Sequence, residues 1–169
     1  MSEEGNAIYW IEKLGLQKHP EGGYYKENYK SDEYYQSTYL PQRYGGDRSF
    51  STGIYFLITS DDFSSLHKIA SDEMWHFYSG SPLTIYAFND NHYFEIQLGS
   101  NFDAGQVFQA VVPAGYWFGS RTQEPNSYSL VGCTVAPGFD FDDFELAKRT
   151  SLQKSFPQHK KLIEQLTRS

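Results

Sequence analysis

Two stretches decide how this chain is read: HKIASDEMWHFYSG, His67 to Gly80, and VPAGYWF, Val112 to Phe118. Alternation along Glu73-Met74-Trp75-His76-Phe77-Tyr78 has the period of a β-strand. It places Glu73, Trp75 and Phe77 on one face and Met74, His76 and Tyr78 on the other. In the second stretch Pro113 cannot donate to a sheet ladder and Gly115 suits a tight turn, so Pro113-Ala114-Gly115 delivers the chain into a new strand at Tyr116.

The same pattern extends outward. Thr52 to Thr59, Glu73 to Ser79, Leu83 to Asn89, Tyr93 to Leu98, Gln106 to Val112, Tyr116 to Arg121 and Ser127 to Ala136 are short, rich in β-formers and separated by Gly, Pro, Asn or Asp. Serial strands without intervening helices predict an antiparallel sandwich or barrel, with Asn89-Asp90-Asn91 as a hairpin turn. Before them, apolar Ile8, Trp10, Ile11 and Leu14 at helical spacing predict a helix over 7–14, with Asn6 as N-cap and Gly15 as the stop. His19-Pro20-Glu21-Gly22-Gly23 reads as a turn, and Tyr24 to Tyr39 as outer strands followed by a loop around Pro41 to Arg48. After Pro137 the chain ends in helix, with Thr150 and Gln153 as a capping box and Pro157 in the first turn of a last helix carrying Leu162, Ile163 and Leu166.

A chain of 169 residues fits one domain spanning 1–169, large enough to bury a core without metal or disulfide. Its single cysteine, Cys133, lies in an apolar strand pattern and reads as a small buried hydrophobe in a reducing compartment. The opening MSEEGNAIYW has no basic n-region or apolar h-region, and no stretch approaches the roughly 18 apolar residues of a spanning helix. A cytoplasmic protein without membrane contact is expected. Net charge is −7 with scattered Lys and Arg, which argues against a nucleic-acid partner. No P-loop, GxGxxG, GxSxG or CxxC occurs.

The two stretches together resemble the paired motifs of the cupin superfamily, with His67, Glu73, Gly80, Pro113 and Gly115 on motif positions. With HPEGGYYKENY (His19 to Tyr29), STGIYFLI (Ser51 to Ile58) and LVGCTVAPGFDFDDFEL (Leu130 to Leu146), nearly the whole chain is similar to one small subfamily, usually labelled a domain of unknown function. The resemblance implies an all-β double-stranded β-helix, or jelly roll, of RmlC-like type, with a short N-terminal helix and a helical C-terminal tail. It also implies that the Glu73 face lines a cavity and that the protein is a homodimer. Ile69 stands where the motif has its second His and Phe118 where it has its downstream His, so two of four usual metal ligands are apolar.

These readings define the candidate site. Glu73 beside Trp75 and Phe77 loses hydration, which raises a carboxyl pKa and suits general acid or base work; the plain alternative is a carboxylate bonded to an Arg or to backbone donors. His67 with Glu73 makes half a metal site or a His/carboxylate proton relay. A divalent ion would have only His67 and Glu73 as firm ligands, with Gln109 and Tyr128 the nearest further donors by register, so a metal-free site without cofactor is the preferred reading. His76, on the opposite face, is read as hydrogen-bonded packing. Trp75, Phe77, Trp117 and Phe118 are candidate cavity walls against core packing, and Glu21 a pocket residue of the HPEGGYY block. The tyrosines Tyr24, Tyr25, Tyr29, Tyr34, Tyr35, Tyr39 and Tyr44 suit a subunit contact, with stacking on a sugar or base as the alternative. In the acidic run, Phe139, Phe141 and Phe144 read as buried and Asp140, Asp142, Asp143 and Glu145 as solvated carboxylates.

The function expected is binding of a small polar metabolite in the cavity. Catalysis is left open; an isomerase or epimerase acting on a sugar or sugar nucleotide through Glu73 and His67 is the first reading. A non-catalytic binding or sensing module is the second, and a metal-dependent oxygenase or decarboxylase the third.

Overall fold

The computed structural model describes residues 6–168. The reading of the opening residues as free of a targeting segment therefore lies partly outside the described residues. The all-β class, the short N-terminal helix and the helical tail are all present.

Helix α1 (Ala7–Leu14) is capped by the Asn6 side chain, which accepts from the Ile8 N–H at 3.1 Å, and closed by Gly15 in the left-handed conformation. The strands follow as β1 (Gln17–Lys18), β2 (Tyr24–Lys30), β3 (Tyr34–Tyr35), β4 (Arg48–Ser49), β5 (Thr52–Thr59), β6 (Ser64–Lys68), β7 (Asp72–Gly80), β8 (Leu83–Phe88), β9 (Tyr93–Leu98), β10 (Gln109–Val112), β11 (Trp117–Thr122), β12 (Tyr128–Ala136) and β13 (Glu145–Leu146). Helices α2 (Arg149–Ser155) and α3 (Lys160–Gln165) complete the described chain. One antiparallel sheet has the order β1-β2-β5-β12-β7-β10 and the facing one β13-β6-β11-β8-β9, while β3 and β4 pair as a separate ribbon. This is a jelly roll.

Alternation sorts each strand into an inner and an outer face. Between the sheets pack Ile58, Leu83, Ile85, Ala87, Leu98, Val112, Phe118 and Val131. On the outer face of the six-stranded sheet, Leu57, Tyr128 and Leu130 meet Trp10, Ile11 and Leu14 of α1. On the outer face of the other sheet, Leu66 and Phe88 meet Leu152, Phe156, Ile163 and Leu166 from the C-terminal helices. Each outer face thus has an apolar cover where its own alternation would otherwise expose large side chains to water.

Several expectations need correction. β6, which carries His67, is a strand although Ser64-Ser65 gives little β signal; its order comes from pairing with β11 and β13. Strand β10 starts only at Gln109. The Thr150 box does not form, because α2 begins at Arg149 and the Lys148 side chain makes no capping bond. Tyr44 is buried, its hydroxyl 2.8 Å from Ser71 Oγ, so it leaves the exposed tyrosine set. Asp143 is not solvated: its carboxylate accepts from Arg48 at 2.6 and 2.7 Å, with both side chains about 5% exposed or less.

Candidate functional site

Strand β12 lies between β5 and β7, and the register sets inward-facing rows. Glu73, Val135 and Thr52 form one row, Trp75, Cys133 and Ile54 the next, and Phe77, Val131 and Phe56 a third. The first two rows and Phe56 form the floor of a cavity of about 290 Å³. His67 and Ile69 from the opposite sheet close one side. Over it runs the connection between β12 and β13, which contributes Phe139, Phe141 and Phe144. That connection is held by the Arg48–Asp143 pair and by the Phe139 N–H, which donates to Thr52 Oγ1 at 2.9 Å.

Glu21 enters from the turn between β1 and β2, and the backbone there explains its direction. Gly22 has φ of +113°, and a side chain on it would collide with the Phe63 carbonyl. The Gly23 N–H donates to Asp62 Oδ2 at 2.9 Å, and the Glu21 carbonyl accepts from the Ser65 N–H at 2.8 Å. Arg168, beyond α3, secures the same corner by donating to Asp62 Oδ1 at 2.7 Å, to the Phe63 carbonyl at 3.0 Å and to the Glu21 carbonyl at 3.4 Å. The Glu21 side chain, buried, accepts from Ser64 Oγ at 2.8 Å and places Oε2 3.1 Å from His67 Nε2 and 3.7 Å from His19 Nδ1.

Both imidazoles have their tautomers fixed by neighbours. His67 Nδ1 sits 2.7 Å from the Ser65 carbonyl, which can only accept, so Nδ1 carries the hydrogen and Nε2 faces Glu21. His19 Nδ1 accepts from the Glu21 N–H at 3.2 Å, leaving its hydrogen on Nε2. Burial is the largest cause of the lowered pKa of both rings and of the raised pKa of Glu21, and one proton is shared between Glu21 Oε2 and His67 Nε2.

Glu73 is the remaining carboxyl. Its pKa is pushed up to about 7, chiefly by burial; His67 works against the rise, Glu21 adds to it, and the Cys133 thiol, which donates to Glu73, opposes it. The thiol itself is pushed well above its usual value by burial and by Glu73. Cys133 is therefore a buried, protonated member of the cavity wall.

Of the residues picked out from sequence, His67, Glu73, Glu21 and Trp75 meet at this cavity. The others do not line it. Phe77 is one row deeper and borders a surface groove with Gln109. Gln109 pairs with His76 across β10 and β7, shares its outer face, and its amide lies 3.1 Å from His76 Nδ1. His76 also reaches Thr134 Oγ1 at 2.8 Å, which is the packing role expected of it. Trp117 points out beneath the C-terminal helices, with the Lys68 ammonium over its ring. Phe118 is buried behind His67, ring centres 4.1 Å apart, as core rather than wall. Tyr128 lies under α1 and accepts from Trp10 Nε1 at 2.9 Å. Sequence reasoning missed His19, Tyr25, Phe56, Ile69 as a lining residue, and the three phenylalanines as a cavity roof.

The donor set does not fit a transition metal. The two remaining motif positions are hydrocarbon, both nitrogens of His67 are engaged, and among the described residues no group of three or more His, Cys, Asp or Glu is spaced to hold an ion. No helix of the described residues is long and apolar enough to cross a membrane.

A family described as Cupin superfamily (DUF985), Cupin_5, matches residues 8–147. An uncharacterised protein of Saccharomyces cerevisiae, YML079W, is 31% identical, over 79% of this chain and 71% of its own length. A hypothetical protein from Leishmania major superposes with a TM-score of 0.88 at 34% identity, covering 97% of this chain and 99% of that one. Protein SO0799 from Shewanella oneidensis gives 0.85 at 39% identity, covering 96% and 98%.

Proposed function

This chain belongs to the Cupin_5 (DUF985) family of the cupin superfamily, and from that premise we propose that its cavity binds a small polar metabolite on which Glu73 acts as general acid and base. One observation carries the reading. A carboxyl only 8% exposed, on the wall of the cavity, has its pKa pushed up to about 7, so near neutrality both its forms are populated and it can take or return a proton. His67, locked by Ser65 and Glu21, is its positioned partner across the cavity. Isomerisation or epimerisation of a sugar fits this chemistry, since a proton is removed from carbon and put back. A volume of about 290 Å³ sits at the lower end for ligand pockets and suits the sugar ring, with any nucleotide portion outside the mouth.

Native mass spectrometry of purified protein, followed by assay of the copurifying molecule, tests the proposal. Conversion by the parent protein that is abolished in Glu73→Gln, with binding retained, supports catalysis. A second reading, binding or sensing without turnover, is favoured by the closed Glu21–His67 pair, which leaves Glu73 as the single carboxyl poised to exchange a proton. Tight binding with no conversion would establish that reading instead.

A further inference from the structure

The buried ionisable groups of the cavity are acids and imidazoles, while Lys26 and Glu27, which also line it, are exposed and carry opposite charges. Glu21 and Glu73 are its buried acids, and burial lowers the pKa of the histidines beside them, His67 bonded between Ser65 and Glu21 and His19 to the Glu21 N–H. The nearby guanidinium groups are occupied elsewhere, Arg48 by Asp143 and Arg168 by Asp62, and the exposed Lys26 has its ammonium near Gly15. Six further lining residues are aromatic. Tyr25, Phe56, Trp75, Phe139, Phe141 and Phe144 surround the site, with successive ring centres about 4.5 to 6.4 Å apart through His19 and His67.

An anionic guest would meet no buried cation beside Glu73, since Lys26 is exposed. A cation would find both ring faces that attract it and a carboxyl that burial, above all, keeps from ionising freely. We propose that the metabolite presents a small organic cation, a protonated or quaternary amine, to Glu73 within the aromatic enclosure. This rests on the reading that the cavity is the functional site and narrows its ligand class. An ammonium docked there offsets the lost hydration of the carboxylate and holds the rest of the guest within reach of the same group.

Isothermal titration with three probes of different charge tests it: tetramethylammonium, glucose and acetate. Tetramethylammonium is expected to bind, glucose more weakly and acetate not at all. Glu73→Gln should weaken the ammonium probe at least about tenfold, since a charge-assisted contact is replaced by a neutral one. Phe144→Leu, which keeps the carboxyl and removes a ring, should weaken it as well, with a thermal melt showing that the variant is folded. Binding of glucose or acetate without the ammonium probe overturns the inference while the cavity stands as a ligand site. Ammonium binding unaltered in both variants also overturns it, and failure of all three probes at millimolar concentration brings down the cavity reading too.

Discussion

His67 Nε2 and Glu21 Oε2 lie 3.1 Å apart with a single proton between them, because His67 Nδ1 is committed to the Ser65 carbonyl. If that proton resides on Glu21, an uncharged donor of the same shape can replace it. Glu21→Gln should therefore keep stability within about 1 kcal/mol of the parent, its amide donating to Nε2. Glu21→Ala should cost about 1–3 kcal/mol by leaving both Nε2 and Ser64 Oγ without their partner. Urea melts measure both, and a large loss in Glu21→Gln would place the charge on the imidazole instead.

Glu73 links stability to pH in a definite direction. Its folded pKa of about 7 exceeds the ordinary 4.5, so between those values the folded state binds more protons than the unfolded one and stability falls as pH rises. Below the window both states are protonated and the difference vanishes. Glu73→Gln should thus match the parent in mild acid and exceed it by up to about 3 kcal/mol above neutrality. Paired melts on the two sides of the window decide it, and equal destabilisation on both sides counts against a raised pKa.

Arg48 and Asp143 form a buried pair, and removing one partner strands the other. Arg48→Ala should cost about 3–5 kcal/mol and should also loosen the connection carrying Phe139, Phe141 and Phe144 over the cavity. Emission of Trp75, isolated by Trp10→Phe and Trp117→Phe and read during a melt, should show the cavity side opening before global unfolding. A variant as stable as the parent would mean that the connection is held by other bonds.

Phe118 packs on His67 where the family's motif has a ligand, and Ile69 lines the cavity at the other apolar position. Ile69→His combined with Phe118→His should retain a divalent ion after purification without chelator, as judged by elemental analysis, whereas chelation should leave the parent's melting temperature unmoved. A parent that loses stability on chelation would contradict the donor-set argument.

Substitutions away from the cavity separate site from scaffold. Gln109→Ala and Trp117→Phe should leave guest affinity within about twofold, because their side chains lie on outer faces. Here His19→Phe should reduce affinity while leaving the ring packing in place. A titration series with one guest checks all three.

What the sequence disclosed follows from periodicity. Thr52–Thr59 and Tyr93–Leu98 are bounded by turn formers, and Ala7–Leu14 carries its own cap and stop, so these elements were readable from local signals alone. Period two also put Glu73 and Trp75 on one face, which the cupin resemblance identified as the cavity face. It says nothing of depth, which is why Phe77, on that same face, falls beyond the cavity floor. Trp117 and Phe118 are consecutive in a strand and cannot both face inward; register with Phe88 and Ala87 chooses Phe118. Gln109 and Tyr128 needed the same register, set by pairing with His76 and Thr59. His19 gave only a turn signal, since its place in the wall depends on Tyr25 and Phe56 from other segments.

Arg168 binds Asp62 and the carbonyls of Phe63 and Glu21, far upstream in the chain. A protease cut between Leu166 and Arg168 would accordingly be felt at the acid that answers His67, long before any strand came apart. Trimming or fusing a tag at that point is thus a chemical intervention at the chamber, and loss of guest affinity on doing so would report a slackened Glu21 rather than a damaged barrel.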